Sequence, residues 1–162
     1  MSEEPIAIIE ASPPRRWLAI GMQLSLGGIL IYLSTSMSHD FGWQVFLLLL
    51  GGGWVFLAMR MYAATQMHLI LNEKGLWDSS GDQLAAMEDI ESVSRGMFAF
   101  KPSNGFSLVL KKSKGPARWR PGLWWRLGSR VGVGGVTAGS QTKPAAQIIE
   151  AILAQRTRDT AS

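Results

Sequence analysis

Two stretches without a single charged residue, Trp17–Met37 and Phe41–Met59, decide most of what this chain can fold into. They run to 21 and 19 residues, each close to the ~20 that a helix needs to cross ~30 Å of hydrocarbon. A soluble core helix would carry a polar face at helical spacing, and neither stretch has one. Only Ser38, His39 and Asp40 separate them, so the two helices are expected to be antiparallel neighbours. A cleavable signal peptide fits less well. The amino-terminal Met1-Ser-Glu-Glu-Pro5 is acidic where a positive region is expected, and the first apolar run is too long.

Arg15 and Arg16 precede the first span, Arg60 closes the second, and the connecting loop carries Asp40 with no Lys or Arg. The positive-inside bias therefore puts both termini of this multi-pass chain in the cytoplasm. Trp17, Trp43 and Tyr62 fall near the span ends, where aromatic belts occur. Gly21, Ser25 and Gly28 share one face of the first helix, and Gly51 and Ala58 one face of the second. Small residues let backbones approach, so these five are the expected helix-packing positions, within the hairpin or between copies in a homo-oligomer. No charge lies inside either span, which argues for an anchor and against an ion path.

Composition removes several chemistries. The chain has no cysteine and only two histidines, His39 and His68. That excludes a thiol nucleophile and a cysteine-ligated metal site, and disfavours a histidine cage. No metal or other cofactor is expected.

From about residue 66 the apolar period changes to two. Short strands are expected at Met67–Leu71, Leu76–Asp78, Gln83–Met87, around Ile90 and Val93, at Met97–Phe100, at Phe106–Lys111 and, weakened by glycine, at Val131–Val136. Asn72-Glu-Lys-Gly75 and Ser79-Ser-Gly-Asp82 read as turns. Pro144 then stands near a first helical turn, and Ala145, Ile148, Ile149, Ile152 and Leu153 form one stripe. The expected organisation is a tail at 1–14, the hairpin within 15–63, an α+β domain over 66–156, and a tail at 157–162.

Six or seven short antiparallel strands closed by a carboxy-terminal helix is the order of a pleckstrin-homology-like (PH-like) barrel. The phrase Leu69-Ile-Leu-Asn-Glu-Lys-Gly-Leu76, the following Ile90-Glu-Ser-Val93 and the terminal helix resemble the bacterial PH-like domains that follow a two-helix membrane hairpin. Phe98–Phe106, Pro121–Gly128 and Arg130–Gly135 are similar to a group of short alphaproteobacterial membrane proteins. The resemblance implies a fold and no activity. Where eukaryotic PH domains carry a basic inositide motif, this chain has Glu73 and Lys74, so inositide binding is not implied.

Charge is sharply divided along the domain. Residues 61–100 hold six acids against Lys74 and Arg95, whereas residues 101–149 hold nine bases and no acid. Between 111 and 130 the bases alternate with tryptophan. Lys111, Lys112, Arg118, Trp119, Arg120, Trp124, Trp125, Arg126 and Arg130 are the candidate binding residues of what reads as a loop. Beside a bilayer their natural partner is the anionic leaflet; the alternatives are tryptophans in a core beneath a solvated basic rim, or an acidic face of a protein partner. Nucleic acid also suits such a pattern but is disfavoured by the membrane tether and the lack of an RNP-type motif. The glycines from 128 to 139 do not make a phosphate loop, because Ser140-Gln141 stands where Lys-Ser/Thr is needed. Glu88-Asp89 reads as a solvated turn, and no catalytic motif emerges. The expected function is a non-catalytic interaction or scaffold module, an accessory subunit of a membrane complex; the competing class is a sensor of anionic lipid or of the envelope.

Because native cysteine is absent, a single introduced thiol reports its own address. Asp40→Cys is expected to react with a membrane-impermeant maleimide on intact cells, and Glu73→Cys only after lysis. The opposite pattern would invert the orientation.

Overall fold

The computed structural model describes residues 4–36, 40–94, 104–112 and 115–161. Two long helices, α1 (Pro13–Ser36) and α2 (Phe41–Ala64), form an antiparallel hairpin. Both are long and apolar enough to cross a membrane, and only 17% of each apolar window is buried within the protein. Leu18, Met22, Ile29, Leu49 and Phe56 point outward, an exposed apolar surface of the kind that marks a membrane or protein contact. The helices outrun the charge-free spans at the domain end: α1 takes in Arg15 and Arg16, and α2 continues past Arg60. Pro13 and Pro14 suit the first turn of α1, where an N–H has no intrahelical acceptor. At the end of α2 the Thr65 hydroxyl donates to the Met61 carbonyl oxygen at 2.8 Å.

Of the five small residues named for helix packing, the seam within the hairpin uses Gly51 and Ala58 of α2, and on α1 it uses a different face from that of Gly21, Ser25 and Gly28. Ile20, Gly27 and Ser34 are the buried positions of α1, seven residues apart. Gly27 faces Gly51: a Cβ on Gly51 would stand 2.8 Å from the Gly27 carbonyl oxygen, and one on Gly27 would stand 2.9 Å from that of Gly51. Gly51 and Ala58 are among the buried positions of α2. Gly21 and Gly28 have open space where a side chain would go, and Ser25 is exposed, so that face of α1 turns away from α2. The choice between two glycine-bearing faces is made by the partner helix, which the pattern of α1 alone does not contain.

The remainder is α+β. The first sheet has the order β1-β2-β3-β4, from β1 (Ala7–Ile9), β2 (Leu69–Asn72), β3 (Gly75–Asp78) and β4 (Gln83–Ala86). The second has the order β5-β6-β9-β8-β7, from β5 (Ile90–Ser94), β6 (Phe106–Leu110), β7 (Arg118–Arg120), β8 (Trp124–Leu127) and β9 (Arg130–Val133). All pairings are antiparallel. Nine strands are described where six or seven were expected, and neither sheet closes on itself. The strand expected at Met97–Phe100 lies outside the described residues. The expected loop over 111–130 contains the β7–β8 hairpin, and the stretch read as an amino-terminal tail supplies β1.

Local chemistry explains the tight turns. Asn72 Oδ1 accepts from the N–H groups of Lys74 and Gly75, at 3.1 and 3.0 Å. Gly75 has φ +146°, and a Cβ there would collide with the Ala85 carbonyl oxygen, so no other residue fits. Asp78 Oδ1 closes the β3–β4 turn by accepting from Ser80 N–H, Ser80 hydroxyl and Asp82 N–H.

The main core joins Ile9, Leu69, Leu71, Leu76 and Leu84 to Phe106, Leu108, Leu110, Trp124, Val131 and Val133. Helix α3 (Gly139–Ala161) covers it with Ala145, Ala146 and Ile149, and Ile148, Ile152 and Leu153 pack around them. A smaller cluster of Ile20, Ala58, Met61 and Val136 joins the hairpin to the domain.

Gly51→Ala is expected to destabilise the detergent-solubilised protein by about 1–3 kcal/mol, through overpacking against backbone. Gly28→Ala, at an open position, should be neutral or stabilising by up to ~1 kcal/mol through helix propensity. Equal losses of Tm in the two variants would contradict this seam.

Candidate functional site

The β7–β8 hairpin carries most of the basic and aromatic residues singled out above, and strand alternation sorts them. Arg118 faces Arg126, Trp119 faces Trp125, and Arg120 faces Trp124. Side chains on a strand alternate between faces, so the Arg118, Arg120, Trp124 and Arg126 set lies on the inward side and the Trp119 and Trp125 pair on the outward side. Trp124 is a core residue, 2% exposed. Trp125 lies against the backbone of Gly132, where a Cβ would stand only 2.3 Å from the indole ring. Trp119 is 58% exposed.

Two of the arginines hold the sheets together. Arg126 is 8% exposed, and its Nη1 donates to the Gln83 carbonyl oxygen at 3.2 Å. Arg118 pairs with Asp82 through partly exposed side chains, a contact worth about 0–1 kcal/mol at such exposure. Both acceptors lie at the start of β4 or just before it, so part of the basic segment is neutralised or tied down by the acidic half of the domain. Lys111, exposed at the end of β6, lines another cleft with Glu91, Arg156 and Asp159. Lys112 and Arg130 are exposed, away from these contacts.

What remains is Trp119 with half-buried Arg120, beside Arg118 in its pair with Asp82, and the structure adds a residue that sequence reading had used only for orientation. Arg60 of α2 shares with these three and Asp82 a shallow cleft of about 510 Å³. The join is made through the β7–β8 turn. Gly122, at φ +80°, sits beneath α2: a Cβ there would stand 2.9 Å from Met61 Cε and 3.3 Å from Thr65 Cγ2. The Gly122 carbonyl oxygen also accepts from Val136 N–H at 3.0 Å. No spacing in the sequence links residue 60 to residue 122.

The same end of the hairpin gathers cations and rings. The Arg16 guanidinium carbon lies 5.3 Å from the ring centre of Trp17 and 5.8 Å from that of Tyr62, within cation–π range. Among the described residues no cluster of three or more His, Asp or Glu could hold a metal ion. The arrangement offers a tryptophan ring and guanidinium groups to an anionic or amphipathic surface. No protein family, curated protein or solved structure matches the chain.

Proposed function

We propose that the protein is a non-catalytic interaction module, a scaffold or accessory subunit of a larger membrane complex, anchored by its helical hairpin. We read its two sheets and terminal helix as a PH-like module on the cytoplasmic side of a bacterial inner membrane. One observation carries the reading: β1, before the hairpin, pairs residue by residue with β2, after it. A domain on a flexible linker samples many attitudes, whereas this one is clamped at both ends of the hairpin. A fixed attitude at a fixed height is what a docking surface needs, because the ordering cost of binding is met in advance.

A second reading has its own support. Trp119, Arg118 and Arg120 share a cleft with Arg60, the last basic residue of α2, and Arg16 lies between Trp17 and Tyr62 at the same end. Tryptophan favours the headgroup zone, and each base near an anionic leaflet contributes about 1 kcal/mol. On this reading the β7–β8 edge rests on the lipid surface and sets the angle of the domain.

One variant set separates the two. A stoichiometric integral partner that copurifies in mild detergent, and is lost in Trp119→Ala/Arg120→Glu, is expected for the scaffold. For the lipid contact, a spin label at Trp119→Cys should be relaxed by oxygen more than by a water-soluble nickel chelate in vesicles containing phosphatidylglycerol. A label relaxed mainly by the chelate, together with no partner sensitive to these residues, would remove both.

A further inference from the structure

A second cleft, larger than the first, opens where the chain enters the hairpin. It encloses about 710 Å³ and is lined by Ser12 and Arg15 before and within the first turn of α1, by Asn104 and Gly105 at the start of β6, and by the opening of α3 including Ser140 and Lys143. Among the described residues that line it, two are cations and none is a carboxylate. Arg15 is held at the rim, its Nη1 donating to the Thr137 carbonyl oxygen at 3.2 Å, which leaves its remaining N–H groups to turn elsewhere. Thr142 is already committed, its hydroxyl donating to the Asn104 carbonyl oxygen at 2.7 Å. Ser12 and Ser140 also line the cleft, and a serine hydroxyl can donate or accept. Glu10 stands nearby, but its backbone N–H is the group engaged, donating to Gln141 Oε1 at 2.9 Å, and it does not line the cleft.

We infer that this cleft binds a phosphate-bearing anion, supplied by the headgroup of an anionic phospholipid. Guanidinium and ammonium groups around a cavity without a competing carboxylate select for negative charge, and the planar guanidinium suits phosphate oxygens. Position favours a lipid as the source. Arg15 lies two residues before Trp17, the first residue of the charge-free span, which puts it at headgroup depth if α1 crosses the bilayer. The inference therefore rests on the hairpin spanning a membrane, but not on the Trp119 surface, which uses other residues. The helix end lining the cleft adds a favourable backbone field, while the two side-chain cations provide the selectivity.

The test uses the full-length chain, delipidated in dodecyl maltoside and titrated with phosphatidylglycerol or phosphatidylcholine under native mass spectrometry. Phosphatidylglycerol should bind in preference, and Arg15→Gln/Lys143→Gln should weaken it by about tenfold or more, the scale of losing charge-assisted hydrogen bonds. Lys143→Gln alone, at an exposed position that cannot unfold the domain, should show part of that loss, and Lys143→Arg should restore it. In a Trp119→Ala/Arg120→Glu background, Lys143→Gln should still weaken phosphatidylglycerol binding by the same factor, so the two surfaces fail separately. Inorganic phosphate that binds the lipid-free protein with the same dependence on Arg15 and Lys143, while phosphatidylglycerol shows none, would keep the site and overturn its lipid source. Binding of both ligands that is indifferent to these substitutions, or no preference for the anionic lipid, would overturn the inference.

Discussion

The pairing of β1 with β2 is the contact on which the rest of the molecule depends. Ala7, Ile8 and Ile9 lie opposite Leu71, Ile70 and Leu69, with the whole helical hairpin between them in sequence. Each backbone hydrogen bond of such a ladder contributes a net ~0.5–1.5 kcal/mol, and burying Ile9 completely adds about 1.5–3 kcal/mol. Closing a loop of this length from a free chain would cost entropy. Here α1 and α2, packed at Gly27 and Gly51, have already brought their outer ends together. Helix packing thus makes the strand pairing affordable, and the strand pairing makes the hairpin part of the domain.

The strap continues past β1. Glu10 N–H donates to Gln141 Oε1, Ala11 forms a bridge with Thr137, and Ser12 N–H donates to the Val136 carbonyl oxygen. Residues 6–12 are therefore stitched to the first sheet on one side and to the β9–α3 connection on the other. The Ile20, Ala58, Met61 and Val136 cluster adds an apolar seal where the helices meet the domain. Both clefts are consequences of this junction. Arg15 reaches the opening of α3 because α1 begins against residues 136–137, and Arg60 reaches Trp119 because Gly122 lets the β7–β8 turn lie under Met61.

The hairpin was legible in the sequence because its signal is local: two apolar spans, a short polar loop and flanking arginines. The stripe of α3 and strands β2–β6 were legible for the same reason, through period and turn residues such as Asn72 and Gly75. β1 was hidden because three residues, Ala-Ile-Ile, carry no period, and their partner lies some sixty residues away. β7 and β8 were hidden because Arg118-Trp-Arg120 and Trp124-Trp-Arg-Leu127 put charge on the inward face, where Asp82 and the Gln83 carbonyl receive it. The charge division stands out in the sequence, and part of it is used within the fold. Arg118 and Arg126 join the basic half of the chain to the acidic half, and Trp124 belongs to the core. The surviving surface, Trp119 with Arg120 and Arg60, needed the third dimension to assemble.

A disulfide across the strap tests the account most directly. Ile8 and Ile70 lie directly opposite, and facing residues on antiparallel strands bring Cβ atoms to about 4.5–5.5 Å, close to disulfide geometry. With no native cysteine to interfere, Ile8→Cys/Ile70→Cys in membranes is expected to form an intrachain bond nearly completely under mild oxidation. Ile6→Cys/Ile70→Cys, displaced along the strand, should form little. Absence of the intrachain bond in the first pair, or equal yields in both, would show that the segment before the hairpin is not held in the sheet, and the fixed attitude of the domain would fall with it.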